Sequence, residues 1–258
     1  MSANNRHPVL EVRDLRKRFG AVQALDGVSF HVHQGEIVAL VGDNGAGKST
    51  TIKMIAGVEQ PDSGEIWFEG ERVHLANPAA AERLGIQTVY QDLALCDNLD
   101  IVSNLFLGRE LVKPVVPGVV RKLDRHEMER RAIPVLQELG IRLPPLSTLV
   151  ASLSGGQRQA VAVARSVLWG SKLVMLDEPT AALGVAQQRA VLDLIVRLAQ
   201  SGKAVMVISH NMHDVFRIAD RIVVLRLGRT VAMFERRAVT PEQVIAAITG
   251  AEEASVQA

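Results

Sequence analysis

The stretch Gly42-Asp43-Asn44-Gly45-Ala46-Gly47-Lys48-Ser49-Thr50 constrains this chain more than any other. It follows Glu36-Ile37-Val38-Ala39-Leu40-Val41, an apolar run of strand length. A glycine, four residues and then Gly-Lys-Ser, set where a strand gives way to a helix, is the spacing of a loop that cradles phosphates. Its glycines permit positive φ and let backbone NH groups close around an anion. A helix starting near Lys48 aims the positive end of its dipole at the same place. Lys48 then supplies a point charge for the outer phosphates and Ser49 a hydroxyl for magnesium. The bland alternative is a glycine-rich turn with a surface lysine; the complete match in strand context argues against it.

A chain of 258 residues allows one large domain or a core with an inserted subdomain. Its net charge of +1, without a block of like charges, argues against a dedicated nucleic-acid or anionic-membrane binder. The basic pairs Arg130-Arg131 and Arg236-Arg237 read as solvated faces. Apolar residues make up 48% of the chain, yet the runs are strand-length, such as Ala204 to Ile208, and fall short of the ~20 residues that span a bilayer. Met1 to His7 is polar and lacks the apolar core of a signal peptide, so a cytosolic location is expected. Cys96, the single cysteine, excludes an internal disulfide and reads as a small apolar filler or, alternatively, a reactive thiol.

Val9 to Arg13 and Val28 to Val32 alternate apolar and polar residues and predict an antiparallel layer ahead of the nucleotide core. Between them Phe19 is either a core residue or a stacking platform for a purine. Beyond the phosphate loop, a helix over Thr51–Gly57, a strand over Glu65–Gly70, a helix from Asn77-Pro78 to Leu84 and a strand over Ile86–Tyr90 follow. Gln91-Asp92 ends that strand, where ligands bind in α/β folds, although most such pairs are turn residues. From Leu93 to Ala151 helical signals take over: a short helix over Ile101–Leu107, a proline-containing loop over Lys113–Gly118, and a helix capped at Asp124 running through Leu139. An all-helical insert is expected, with His126 and Glu127 as surface and capping residues.

Leu153-Ser154-Gly155-Gly156-Gln157 opens a helix over about Arg158–Leu168, with Ser154 as N-cap. It is either an ordinary helix start or a second anion-binding helix terminus. Lys172 to Thr180 is a buried-type strand ending in Asp177 and Glu178, which suit a magnesium ligand and a general base for water. A helix over Val185–Gln200, a strand over Lys203–Ile208 tipped by Ser209-His210, and the strand pair Arg221–Leu225 and Arg229–Phe234 come next. His210 is either structural or a contact to a terminal phosphate. Pro241 to Ile248 is a final helix, and Glu252 to Ala258 a polar tail.

In their joint order, the phosphate loop, Gln91, Leu153 to Gln157, Leu176-Asp177-Glu178 and His210 resemble, across nearly the whole chain, the nucleotide-binding subunit of ATP-binding-cassette transporters. The signature beginning at Leu153 is the most specific element. The resemblance implies an α/β P-loop NTPase (RecA-like) core over 36–92 and 155–234 with an N-terminal antiparallel β layer. It also implies a helical subdomain over about 93–154 including the signature, all within a cassette over 8–240, followed by a helix and tail over 241–258. ATP would be held by Phe19, Gly42, Asp43, Asn44, Gly45, Ala46, Gly47, Lys48, Ser49, Thr50 and Gln91. Mg2+ would be held by Ser49, Gln91 and Asp177. Glu178, His210 and Lys48 would be catalytic. Leu153, Ser154, Gly155, Gly156 and Gln157 would act in trans on the ATP of a facing cassette.

Gly42 to Gly45, Tyr90 to Leu99 and Glu178 to Gly184 are similar to the ATPases of bacterial monosaccharide importers of the ribose and fructose type. Many of those fuse two cassettes, whereas this chain has one, so a homodimer or a second cassette subunit is expected. The resemblance also implies transmembrane permease subunits met by the helical insert and Gln91 to Gly108, an indirect sugar-binding protein, no nucleic acid, and a peripheral position on the cytoplasmic face of the inner membrane. Gly184 stands where the wider family carries an aspartate, as it does in the sugar-importer branch, and Phe19 where tyrosine is commoner. Competing readings are an importer of another solute and a soluble cassette ATPase acting on ribosomes or DNA. A regulatory module that binds ATP without turnover would be expected to have lost Glu178 or His210.

Overall fold

The computed structural model describes residues 7–116 and 120–251. Two sheets share one core. The N-terminal strands β1 (Leu10–Phe19) and β2 (Val22–Val32) pair antiparallel and continue through β4 (Ser63–Phe68) and β5 (Glu71–Val73) in the order β2-β1-β4-β5. The second sheet contains β3 (Ile37–Val41), β6 (Ile86–Val89), β9 (Leu173–Asp177), β10 (Ala204–Ile208), β11 (Arg221–Arg226) and β12 (Arg229–Glu235) in the order β12-β11-β3-β10-β9-β6. All its pairings are parallel except β11 with β12. Every side chain of β3 and β10 is buried, as continuous apolar runs demand of parallel strands covered on both faces.

Helices α1 (Lys48–Ile55), α2 (Pro78–Leu84), α6 (Val185–Gln200), α7 (Met212–Ile218) and α8 (Pro241–Thr249) accompany the sheets. The helices α3 (Ile101–Leu105), α4 (Arg125–Glu138) and α5 (Gly155–Leu168) meet over an apolar cluster of their own that includes Phe106, Met128, Val150 and Val161. This insert is not all-helical. The expected loop over Lys113–Gly118 is in its described part a strand, β7 (Val112–Val116), paired antiparallel with β8 (Val120–Leu123); residues 117–119 lie outside the described residues. Valines at 112, 115, 116 and 120 outweigh Pro114, which a two-stranded ribbon with no inner strand tolerates. The short helix α7 was also absent from the sequence reading; Asn211 caps it through His213 and Asp214 NH groups.

The expected strands at the N-terminus extend further than alternation indicates, because register shifts in β1 reset the pattern between Val12 and Leu15. Helix α5 begins at Gly155 rather than Arg158. Arg130 and Arg131 are exposed and both hydrogen-bond Glu127, which holds that carboxyl down at about 2. Cys96 is half-buried beneath Asn104, whose amide bonds both its NH and its carbonyl. The polar tail from Glu252 lies outside the described residues.

At the foot of β3 the buried guanidinium of Arg221 donates to Glu36 and to Nε2 of His31, fastening the antiparallel layer to the parallel sheet. Arginine only donates, so Nε2 is the acceptor and the ring proton sits on Nδ1. Burial, and then the Arg221 charge, lower the His31 pKa.

Candidate active site

The phosphate loop joins the end of β3 to the start of α1. Its shape is fixed by backbone crowding: a Cβ at Gly42 would lie 2.2 Å from the Leu225 carbonyl oxygen, and one at Gly47 2.4 Å from Leu25 Cδ2. Gly47 also has φ +100, which side-chain-bearing residues rarely adopt. Behind the loop stands the β11–β12 turn, where Gly228 NH donates to the Ala46 carbonyl at 3.2 Å and the Gly228 carbonyl accepts from Asp26 NH at 2.7 Å. Ala46 is buried and Thr51 Oγ1 donates to the Gly47 carbonyl at 2.9 Å, so α1 and the loop form one unit.

Lys48 Nζ lies back across this loop, 2.7 Å from the Gly42 carbonyl and 2.9 Å from that of Asp43. Burial lowers its pKa, against the opposing pull of Glu178, Asp43 and Asp177. Asp177 is half-buried at the end of β9; burial and then the neighbouring Glu178 raise its pKa, opposed by Lys48. A carboxylate short of positive charge beside an exposed serine hydroxyl suits a divalent cation that keeps waters and phosphate oxygens as its other ligands. No group of three His, Cys, Asp or Glu side chains able to hold a metal occurs among the described residues.

These groups line one cavity of about 610 Å3, bounded by Asn44, Gly45, Gly47, Lys48, Ser49 and Thr50, by Gln91 after β6, by Asp177 and Glu178, and by His210 after β10. Its size is in the range of small-molecule sites. Parallel pairing brings one edge of it together: Asp177 sits opposite Ile208 in the β9–β10 register, so Glu178 and His210 leave adjacent strands side by side. His210 Nδ1 and Glu178 Oε1 are 2.8 Å apart, and the histidine is exposed. Glu178 holds φ +50, a left-handed conformation uncommon for a side-chain-bearing residue, anchored by its NH to the Ile208 carbonyl at 3.0 Å.

Sequence reasoning missed the wall supplied by Val22, Gln23 and Ala24 at the start of β2, which only the antiparallel layer's docking brings here. Phe19, at the end of β1 opposite Val22, is 45% exposed, which excludes the core reading; Lys17 Nζ stands over its ring, 5.4 Å from the centroid. Gly42, Asp43 and Ala46 belong to the loop without lining the cavity.

The predicted signature is elsewhere. Ser154 caps α5 in a reciprocal box, with its Oγ accepting from Gln157 NH and Gln157 Oε1 accepting from Ser154 NH. Leu153 is buried beneath it. A Cβ at Gly155 would lie 2.8 Å from Leu183 Cδ2 and one at Gly156 3.2 Å from Gln187 Cβ, so this helix start is pressed against the start of α6. Ser154, Gly156 and Gln157 border a separate cavity of about 380 Å3, and none of the signature residues lines the phosphate-loop cavity.

An ABC transporter family model matches residues 25–181, which span the phosphate loop, signature and Glu178. This chain belongs to the ABC transporter ATP-binding family. It is similar to the fructose import ATP-binding protein FrcA of Rhizobium meliloti, 49% identical with 95% of each chain covered. A xylose/arabinose import ATP-binding protein of Sulfolobus acidocaldarius is 45% identical, covering 93% of this chain and 94% of the relative. The chain spans about half the length of the ribose import relatives it matches, for example 48% of one from Caldanaerobacter subterraneus. The fold is that of an ATP-binding cassette of an ABC transporter solved in its ADP conformation, with TM-score 0.79, 25% identity and coverage of 94% and 95%. The cassette therefore binds adenine nucleotide and hydrolyses ATP.

Proposed function

We propose that this cassette energises import of a monosaccharide. Two cassettes pair head to tail, the signature of each facing the phosphate loop of the other, and act on transmembrane permease subunits fed by a sugar-binding protein. The observation that carries the reading is the Glu178–His210 pair at 2.8 Å beside the phosphate loop. The fructose and xylose/arabinose relatives supply the substrate class. Support for pairing comes from the separate cavities of signature and phosphate loop. Among the described residues no helix is long and apolar enough to cross a membrane; the proposed place of the cassette is peripheral, on the cytoplasmic face against the permease.

Lys48, the loop NH groups and Thr50 would hold the phosphates and Phe19 would stack on the base; Ser49, Gln91 and Asp177 would hold magnesium, whose chemistry is to neutralise charge on a transferring phosphoryl group. Glu178 orients and deprotonates the attacking water. His210 fixes the Glu178 carboxylate through Nδ1 and leaves Nε2 for the outer phosphate. ATP closes the pair of cassettes because it binds the closed form more tightly, by the contacts the trans signature adds.

The test is uptake of labelled monosaccharides, fructose first, in cells lacking this protein and complemented with wild type or Lys48→Ala. Loss of one sugar's uptake with Lys48→Ala is expected. Unchanged uptake of every sugar, with ATPase activity intact in the purified wild type, would leave the cassette and remove the sugar.

A further inference from the structure

Thr180 Oγ1 donates a 2.7 Å hydrogen bond to Asp214 Oδ2, and both residues are buried, at 5% and 4% exposure. Thr180 lies two residues beyond Glu178, and Asp214 four residues beyond His210. The bond therefore joins the loop that follows Glu178 to the first turn of α7, the helix that follows His210. The intervening residues transmit position: Pro179 is buried, Ala181 NH returns to the Glu178 carbonyl at 3.1 Å, and Leu183 NH to the Thr180 carbonyl at 3.3 Å. On the other loop, Ser209 is buried and its Oγ accepts from Asn211 NH, while Asn211 Oδ1 accepts from the NH groups of His213 and Asp214. Each loop is stiff from its strand end to its member of the buried bond.

The chemistry of the pair is costly for a merely structural contact. A buried carboxylate with a single hydroxyl donor pays desolvation that an apolar pair of the same shape would avoid. Among the described residues no lysine or arginine forms an ion pair with Asp214; His213 Nδ1 stands 3.7 Å away on a side chain that is 84% exposed. Apolar packing would hold α7 against the loop, but it would not set a hydroxyl-to-carboxylate distance. Glu178 needs such a setting because its backbone sits at φ +50, a conformation that persists only where the surroundings over-determine it.

We propose that Thr180 and Asp214 are positioning residues that hold Glu178 and His210 in register for ATP hydrolysis. The proposal rests on the catalytic assignment of Glu178 and His210 given above. Displacement of a reacting group by about 1 Å can lower a rate by about a hundredfold. Loosening this bond is therefore felt in turnover and not in nucleotide binding, which belongs to the phosphate loop.

The experiment is steady-state MgATP hydrolysis by the purified full chain at fixed protein concentration, with melting temperature measured alongside. Thr180→Val, which keeps shape and removes the donor, is expected to lower kcat about tenfold or more with KM for ATP held within about twofold. Thr180→Ser is expected to recover most of that loss. The double variant Thr180→Val/Asp214→Leu is expected to regain the wild-type melting temperature, because both polar partners are gone, while kcat stays low. Wild-type kcat in Thr180→Val, or recovery of kcat together with stability in the double variant, overturns the proposal. Glu178→Gln is measured in parallel: if it hydrolyses ATP at the normal rate, the catalytic assignment itself fails, whatever Thr180 does.

Discussion

The phosphate loop and the signature are both glycine-rich helix starts, yet they are built in opposite ways. In the loop, Gly42 and Gly47 are imposed by neighbours on β11 and β2, and Lys48 directs its charge to two carbonyls of the loop. The polar groups are aimed inward at a cavity the chain makes by itself. At the signature, Ser154 and Gln157 satisfy each other's backbone NH groups, so the helix start is closed upon itself. One terminus is prepared in advance; the other, on the proposed head-to-tail pairing, would exchange an internal cap for a ligand. A site completed by a second cassette has reason to be self-satisfied until that cassette arrives, since unpaired polar groups are costly wherever water is excluded.

That contrast can be broken at three points. Gly42→Ala forces a Cβ to within 2.2 Å of the Leu225 carbonyl oxygen. It is expected to destabilise the cassette by about 3 kcal/mol and abolish nucleotide-dependent stabilisation, read by chemical denaturation with and without MgATP. If Gly42→Ala binds MgATP normally, the loop is not held by crowding. Ser154→Ala removes one half of the cap and is expected to cost about 1 kcal/mol in the same measurement. It should leave ATP affinity of the isolated chain unchanged but weaken ATP-dependent pairing by sedimentation; equal pairing would reduce the signature to an ordinary helix start. Gly184→Asp is expected to be the mildest, within about 0.5 kcal/mol, because Gly184 has φ −69 and open space where a Cβ would stand. A large loss of stability there would mean that the glycine is a packing requirement rather than a mark of the branch.

The parts of the molecule that follow local rules were legible in the sequence. Glycine spacing located the phosphate loop, Asn77-Pro78 and Asp124 located α2 and α4, and apolar runs gave the parallel strands with Asp177 and Glu178 at one edge. What stayed hidden depends on long-range register or backbone geometry. Nothing local announces that Glu178 adopts a left-handed conformation, or that Thr180 reaches Asp214 across 34 positions. The β7–β8 ribbon was hidden for another reason: Pro114 and the Pro117-Gly118 step read as a loop in the sequence, and among the described residues its strands pair only with each other. Helix α7 is a short segment whose one clear signal is Asn211 at its cap.

The turn after β11 has a practical consequence for anyone who labels this protein. Leu227 is 78% exposed at a hairpin tip, the kind of place where an epitope tag or a circular-permutation breakpoint is usually harmless. Here the next residue is Gly228, which props the phosphate loop through Ala46 and grips β2 through Asp26. Splicing a sequence into that tip would leave the outline of the protein intact while silencing it, so a handle for purification or fluorescence belongs at a terminus instead.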